Sequence, residues 1–137
     1  DAADPCGFNL YNSNKKISIA TDIGCISEEL LNYLKDSSCV LLESNYDPEI
    51  LKCSSYPYHL KQRILSDKGH LSNVSAGKTL SKLYDFGLEK ALLVHLSKEN
   101  NFPELAYETI RNETLNCKNL SIDIAPRDNP SKLFEVC

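Results

Sequence analysis

A chain of 137 residues with 42% hydrophobic and 25% charged side chains has the size and balance of one soluble globular domain, folding as a unit over residues 1–137. Its net charge of −4 argues against a broad nucleic-acid surface on these residues alone. No apolar run approaches the roughly 18 residues of a membrane span, and the opening DAADPCGFNLY has neither the basic nor the apolar region of a signal peptide, so a cytoplasmic setting without a membrane partner is expected.

In chain order, CGFNLY and KISIAT flank the turn-forming NSNK and predict a β-hairpin. SEELLNYLK predicts a helix capped by Ser27, with Leu30, Leu31 and Leu34 on one face. CVLLE is a short continuous apolar run, which reads as a buried strand. DPEILKC and YPYHLKQRIL each place proline near a helix start, where its missing N–H costs little. SNVSAGKTLSKLYDFG predicts a helix closed by Gly87, ALLVH a second buried strand, and FPELAYETIRNETL a long amphipathic helix with Pro103 in its first turn. LSIDIA and KLFEV predict the last strands. The class is α/β with a mixed sheet, without internal repeat or linker.

The six cysteines form no C-x-x-C pair, and Cys39 sits inside an apolar run, so free thiols are expected. The N-x-S/T triplets at Asn73, Asn112 and Asn119 matter only in a secreted chain. The absence of methionine implies a processed product or a part of something longer.

Polar groups recur where predicted strands end. KISIATDIG ends on Asp22, CVLLESNYD on Glu43 with Asn45 and Asp47 beyond, and ALLVHLS on His95. Strand ends are where α/β proteins gather ligand-binding groups. Carboxylate and imidazole together form a hard-to-borderline metal environment, with no cysteine placed to make a structural thiolate site. His70 joins them from SDKGHLSN, where Gly69 permits a sharp turn. Each has a plainer reading. Asp22 followed by Gly24 suits an ordinary turn, His95 a hydrogen bond to a carbonyl, His70 a solvated loop, and Glu43 an acceptor for the N–H groups of the following turn. His59, Lys61 and Arg63 read as a helix surface, and Cys25 as packing.

The segments ATDIG, LLESNYDPEIL, KQRILSDKGHLSN, LVHLSKENNFPELA and APRDNPSKLFEV, in this order and spacing, resemble the C-terminal half of YycJ/WalJ-type proteins, a branch of the metallo-β-lactamase-fold hydrolases. The resemblance implies half of an αββα sandwich, a mixed β-sheet with helices packed on one face. It implies two divalent metal ions, zinc or manganese, in the intact parent, and DNA exonuclease or phosphodiesterase activity there. Asp22 matches the aspartate that bridges the metals and His95 the last ligand histidine. His70 matches a histidine aimed at the scissile phosphate or leaving group, with Glu43 orienting such an imidazole.

The superfamily's H-x-H-x-D-H signature is absent, as is the next ligand histidine, which in relatives immediately precedes a segment like DAADPCGF. The resemblance therefore implies that the N-terminal half of the domain is missing, that the chain alone is inactive, and that it is metal-free or binds metal weakly. Pairing with the missing half or with another copy is expected over a sheet face lined by Ile17, Ile19, Leu41 and Val94. Hydrolysis of another ester or amide, such as a lactam or thioester, and a non-catalytic interaction module are the competing readings.

Overall fold

The computed structural model of the protein describes residues 6–136. Five strands and five helices follow in the order β1 (Phe8–Asn12), β2 (Lys15–Ala20), α1 (Glu28–Leu34), β3 (Cys39–Glu43), α2 (Pro48–Cys53), α3 (Tyr58–Leu65), α4 (Asn73–Tyr84), β4 (Lys90–Val94), α5 (Pro103–Glu113) and β5 (Ser121–Ile124). The helix starts are written in the sequence: Ser27, Asp47 and Ser72 accept first-turn N–H groups, and Pro48 and Pro103 open α2 and α5. Gly87, just past α4, takes φ +88.

The strands form one sheet in the order β1-β2-β3-β4-β5, antiparallel across the hairpin and parallel elsewhere. Neighbouring parallel strands joined by right-handed crossovers in one continuous direction place every crossover on the same face. Accordingly Ala20, Val40, Leu42, Ala91, Leu93 and Ile122 pack on Leu34 of α1, Ala76, Leu80 and Leu83 of α4, and Ala106 and Ile110 of α5. α2 and α3 build a separate small cluster of Tyr46, Leu51 and Ile64, lined by Tyr56 and Leu60, beyond the C-terminal end of β3.

The opposite face carries the in-register rows Leu10, Ile17, Cys39 and Ile19, Leu41, Leu92. Ile17, Ile19, Leu41 and Val94 are only half-buried there, and Phe8 and Leu10 are 59% and 55% exposed. A largely parallel sheet is ordinarily covered on both faces.

One predicted element is corrected. KLFEV is not a strand: residues 131–136 have no regular secondary structure. Pro126 and Pro130 lead the chain off the end of β5, and proline cannot donate to a ladder. Residues Ser131–Phe134 instead line a groove of about 520 Å³ with Cys39, Leu41 and Leu92 on the second face, and the Lys90 ammonium donates to the Glu135 carbonyl at 2.6 Å. Cys6, Cys25, Cys39, Cys53 and Cys117 are free thiols, as expected; Cys137 and residues 1–5, with most of the DAADPCGF segment, lie outside the described residues. No described helix is long and apolar enough to cross a membrane.

Candidate metal-binding site

Three strand ends and one interhelical loop meet at a single point. Glu43, the last residue of β3, is fully buried. Its Oε1 faces Nδ1 of His70 at 2.7 Å and Nδ1 of His95 at 2.8 Å, while Oε2 accepts the Ile23 N–H at 2.9 Å. Asp22 Oδ1 lies 4.0 Å from His95 Nε2 and 4.0 Å from His70 Nδ1. One potential ligand atom from each of Asp22, His70 and His95 falls within 4.8 Å of the others. The two imidazoles stand 5.3 Å apart, tilted by 56°.

Asp22 and His95 leave their strands in the left-handed region, at φ +57 and +58. Such a conformation costs a non-glycine residue on the order of 1–3 kcal/mol and is concentrated at functional sites. Here it turns Asp22 toward the rings of His70 and His95, and His95 toward Glu43.

Burial alone would push the Glu43 carboxyl up, but hydrogen bonds from His70, His95 and the Ile23 N–H hold it below the ordinary glutamate value. The hydrogen bond to Glu43 raises His95 above the ordinary histidine value against the effect of its burial, and the charges of Glu43 and Asp22 add to the rise. An ionised Glu43 only accepts, so the proton of each neutral imidazole sits on Nδ1 and the lone pair on Nε2. That is the tautomer a metal-binding histidine adopts when a carboxylate orients it.

A second polar layer beneath the cluster fixes the loops. Ser44 Oγ donates to Asn73 Oδ1 at 2.6 Å, and the Asn101 amide donates to the Ser44 and Asn45 carbonyls at 2.9 and 3.1 Å. The Asn45 amide in turn donates to the His95 carbonyl at 2.8 Å. Asn73 is fully buried, and Asn101 is 7% exposed. Asn73→Ala, which strands the partners of its amide, is expected to cost about 1–3 kcal/mol in urea unfolding and to lower metal affinity through the displaced His70 loop.

Two glycines let the loops approach. A β-carbon on Gly24 would collide with the Ser66 carbonyl and Asp67 backbone, and one on Gly69 with the carbonyls of Ile64 and Arg63. Gly69 is therefore required by close approach, while positive φ occurs at Gly87. Gly69→Ala is expected to destabilise the fold by about 2 kcal/mol or more, checked by thermal unfolding.

Asp22, Glu43, His70 and His95 thus lie together, whereas His59 is exposed on α3 and is not part of the ligand grouping. Glu43 accepts its backbone hydrogen bond from Ile23, across from β2, rather than from the turn that follows it. The Ser44, Asn73 and Asn101 layer has no sequence signature of its own, because scattered small polar residues carry no periodic signal. Their trace in the sequence is the polar pair Ser72-Asn73 after His70 and the polar triplet Glu99, Asn100 and Asn101 after His95. Asp22, His70, His95, Asn45, Ser97 and Asn100 border a cleft of about 320 Å³, closed on its other side by Tyr56, Leu60 and Ile64.

No protein-family model matches the chain. It is 39% identical over 113 residues to the exodeoxyribonuclease WalJ of Streptococcus pneumoniae serotype 2, a match covering 82% of this chain and 42% of that protein. It is 37% identical over 106 residues to the exodeoxyribonuclease YycJ of Bacillus anthracis, covering 77% and 40%. The chain thus spans about two fifths of the length of these relatives. Among solved structures, the Zn(2+)-bound PqqB of Methylobacterium extorquens, a metallo-β-lactamase-fold protein, superposes with a TM-score of 0.53 at 12% identity, over 86% of this chain and 38% of that one. The chain is homologous over most of its length to part of the WalJ/YycJ exodeoxyribonucleases, and its fold is that of the metallo-β-lactamase-fold protein PqqB.

Proposed function

We propose that the chain carries part of a divalent-metal site that hydrolyses phosphodiester bonds of DNA. The observation that carries this reading is the buried carboxylate of Glu43 holding Nδ1 of two histidines beside Asp22. The names of the WalJ and YycJ relatives supply the substrate class, and the zinc-bound PqqB supports the metal.

The donor set fits such an ion. One carboxylate and two imidazoles suit zinc or manganese. Two divalent ions, when bound, supply Lewis acidity and an acidified water near neutral pH. Asp22 and His95 would hold the metal, Asp22 through its carboxylate and His95 through Nε2. His70 would face the scissile phosphate, where the ring, when protonated on both nitrogens, would donate the Nε2 proton or stabilise charge while Nδ1–H stays on Glu43. Glu43 holds both rings in register and keeps their protons on Nδ1. A second reading, favoured by the grouping of all three donors within 4.8 Å, makes His70 a metal ligand. His70→Ala separates the two, since loss of bound metal assigns a ligand and loss of turnover with metal retained assigns the proton donor.

Asp22 and His95, even with His70 added, do not complete two sites, because even one catalytic zinc takes about three protein ligands. In this reading the domain extends beyond these 137 residues and the remaining ligands come from there. The isolated chain is then inactive and binds metal weakly. The half-exposed sheet face is covered by that remaining portion or by a second copy, so the isolated chain should associate with rising concentration in light scattering. A monodisperse monomer at high concentration would count against such a cover.

The function is tested by incubating a longer protein that contains this segment with DNA and, separately, with a lactam, in zinc and in manganese. DNA cleavage that depends on Asp22 and His95 supports the proposal. Lactam turnover without DNA cleavage refutes it.

A further inference from the structure

A second groove, of about 530 Å³, opens beside the metal-binding cleft, and the two share Leu96 as a common wall. One side is the entrance of α5, with Phe102 and Pro103; the other is the segment leaving β5, with Arg127 and Asp128 on its rim. Phe102 is 47% exposed at the N-cap of α5. It makes no side-chain capping bond. Lys98 and Arg127 are exposed and flank the same groove, in a chain whose net charge is −4. The Arg127 guanidinium spends one of its five donors on the Leu96 carbonyl, at 2.7 Å, which fixes it on the wall between groove and cleft.

We propose that this groove is a subsite for single-stranded DNA, taking the nucleotide next to the one whose phosphodiester lies at Asp22, His70 and His95. An exposed aromatic in a groove that also carries two cations is the chemistry by which proteins hold an unpaired strand: the base stacks on the ring and the phosphates meet the cations. Stacking on Phe102 requires an unstacked base, so the groove selects single strands over duplex. Stacking and phosphate contacts carry no base identity, so binding is indifferent to sequence. The inference rests on the phosphodiesterase reading for its substrate, but its own test requires no turnover.

The experiment is fluorescence anisotropy of the 137-residue chain with a short fluorescein-labelled oligothymidylate and with a duplex of the same length. Circular dichroism establishes that each variant is folded. The single strand is expected to bind more tightly than the duplex. Phe102→Ala should weaken the single strand about tenfold and leave the duplex unchanged. Lys98→Ala and Arg127→Ala should each reduce the slope of log affinity against log salt by about 0.7. Lys118→Ala, in the turn ahead of β5 and away from the groove, should change neither. Equal binding of duplex and single strand, no binding of either, or a folded Phe102→Ala variant that binds as the wild type does, would overturn the subsite. Phe102-dependent binding together with an absence of DNA cleavage in the longer protein would sink the hydrolase reading and leave the subsite standing.

Discussion

Replacing Glu43 by alanine is expected to lower the stability of the fold by about 3–5 kcal/mol, the range for removing one partner of a buried charged cluster. The carboxylate is fully buried and receives three hydrogen bonds, from His70, His95 and Ile23. Its loss strands an N–H of the β2 loop and frees two rings to rotate. For a domain of this size the unfolding midpoint should fall by about 10 °C or more. Glu43→Gln keeps the volume but brings an amide that cannot accept at both oxygens. It should therefore unfold at intermediate temperature and lower metal affinity about 10–100-fold, the usual cost of losing a carboxylate that orients ligand histidines.

The same variants should alter the pH profile. Glu43 titrates below its ordinary value of 4.5, so its contribution is present above that pH and is lost as pH falls through the depressed value. His95 titrates above its ordinary value of 6.5, so its contribution is fully present below that pH and is lost as pH rises through the raised value. Stability attributable to the pair is greatest between about pH 4.5 and 6.5 and should flatten in Glu43→Gln. Metal binding runs the other way on the alkaline side, because a ligand imidazole must be neutral. Affinity should rise with pH until His95 is deprotonated. Chemical denaturation across this range, with and without zinc, reads both effects.

The largest functional effect is expected at Asp22 and His95. In a longer protein containing this segment, Asp22→Ala or His95→Ala should each lower DNA hydrolysis by about 10³-fold, corresponding to several kcal/mol of lost transition-state charge stabilisation. His59→Ala, on the exposed surface of α3, should leave the rate unchanged. The 137-residue chain alone should show no cleavage. Cleavage by that chain, abolished by Asp22→Ala with His95→Ala, would contradict the view that further ligands are needed.

Much of this arrangement can be read from local pattern. Ser27 and Ser72 cap helices, Pro48 and Pro103 open them, and the continuous runs CVLL and ALLV are buried strands, because these features depend on neighbours a few residues away. The placement of Asp22, Glu43 and His95 at strand ends follows from the same pattern. Their meeting does not, since it depends on β2, β3 and β4 being adjacent and parallel. Nor do the left-handed φ values at Asp22 and His95, which only tertiary contacts can enforce. KLFEV misled for the complementary reason: its residues have strand propensity, but the two prolines before it take it away from any open ladder. The Asn73 and Asn101 layer left no periodic trace, because each asparagine is specified by carbonyls from different loops.

The central claim is that divalent metal goes to the cluster of Asp22, His70 and His95, and the chain contains three histidines, of which His59 is a built-in control. Proton NMR of the imidazole resonances during titration with manganese tests this directly, because the paramagnetic ion broadens nearby protons even when binding is weak. The resonances of His70 and His95 should broaden first and together while His59 stays sharp, and Asp22→Ala should shift that broadening to higher metal concentration. Equal broadening of all three histidines, or broadening of His59 ahead of the other two, would contradict the site.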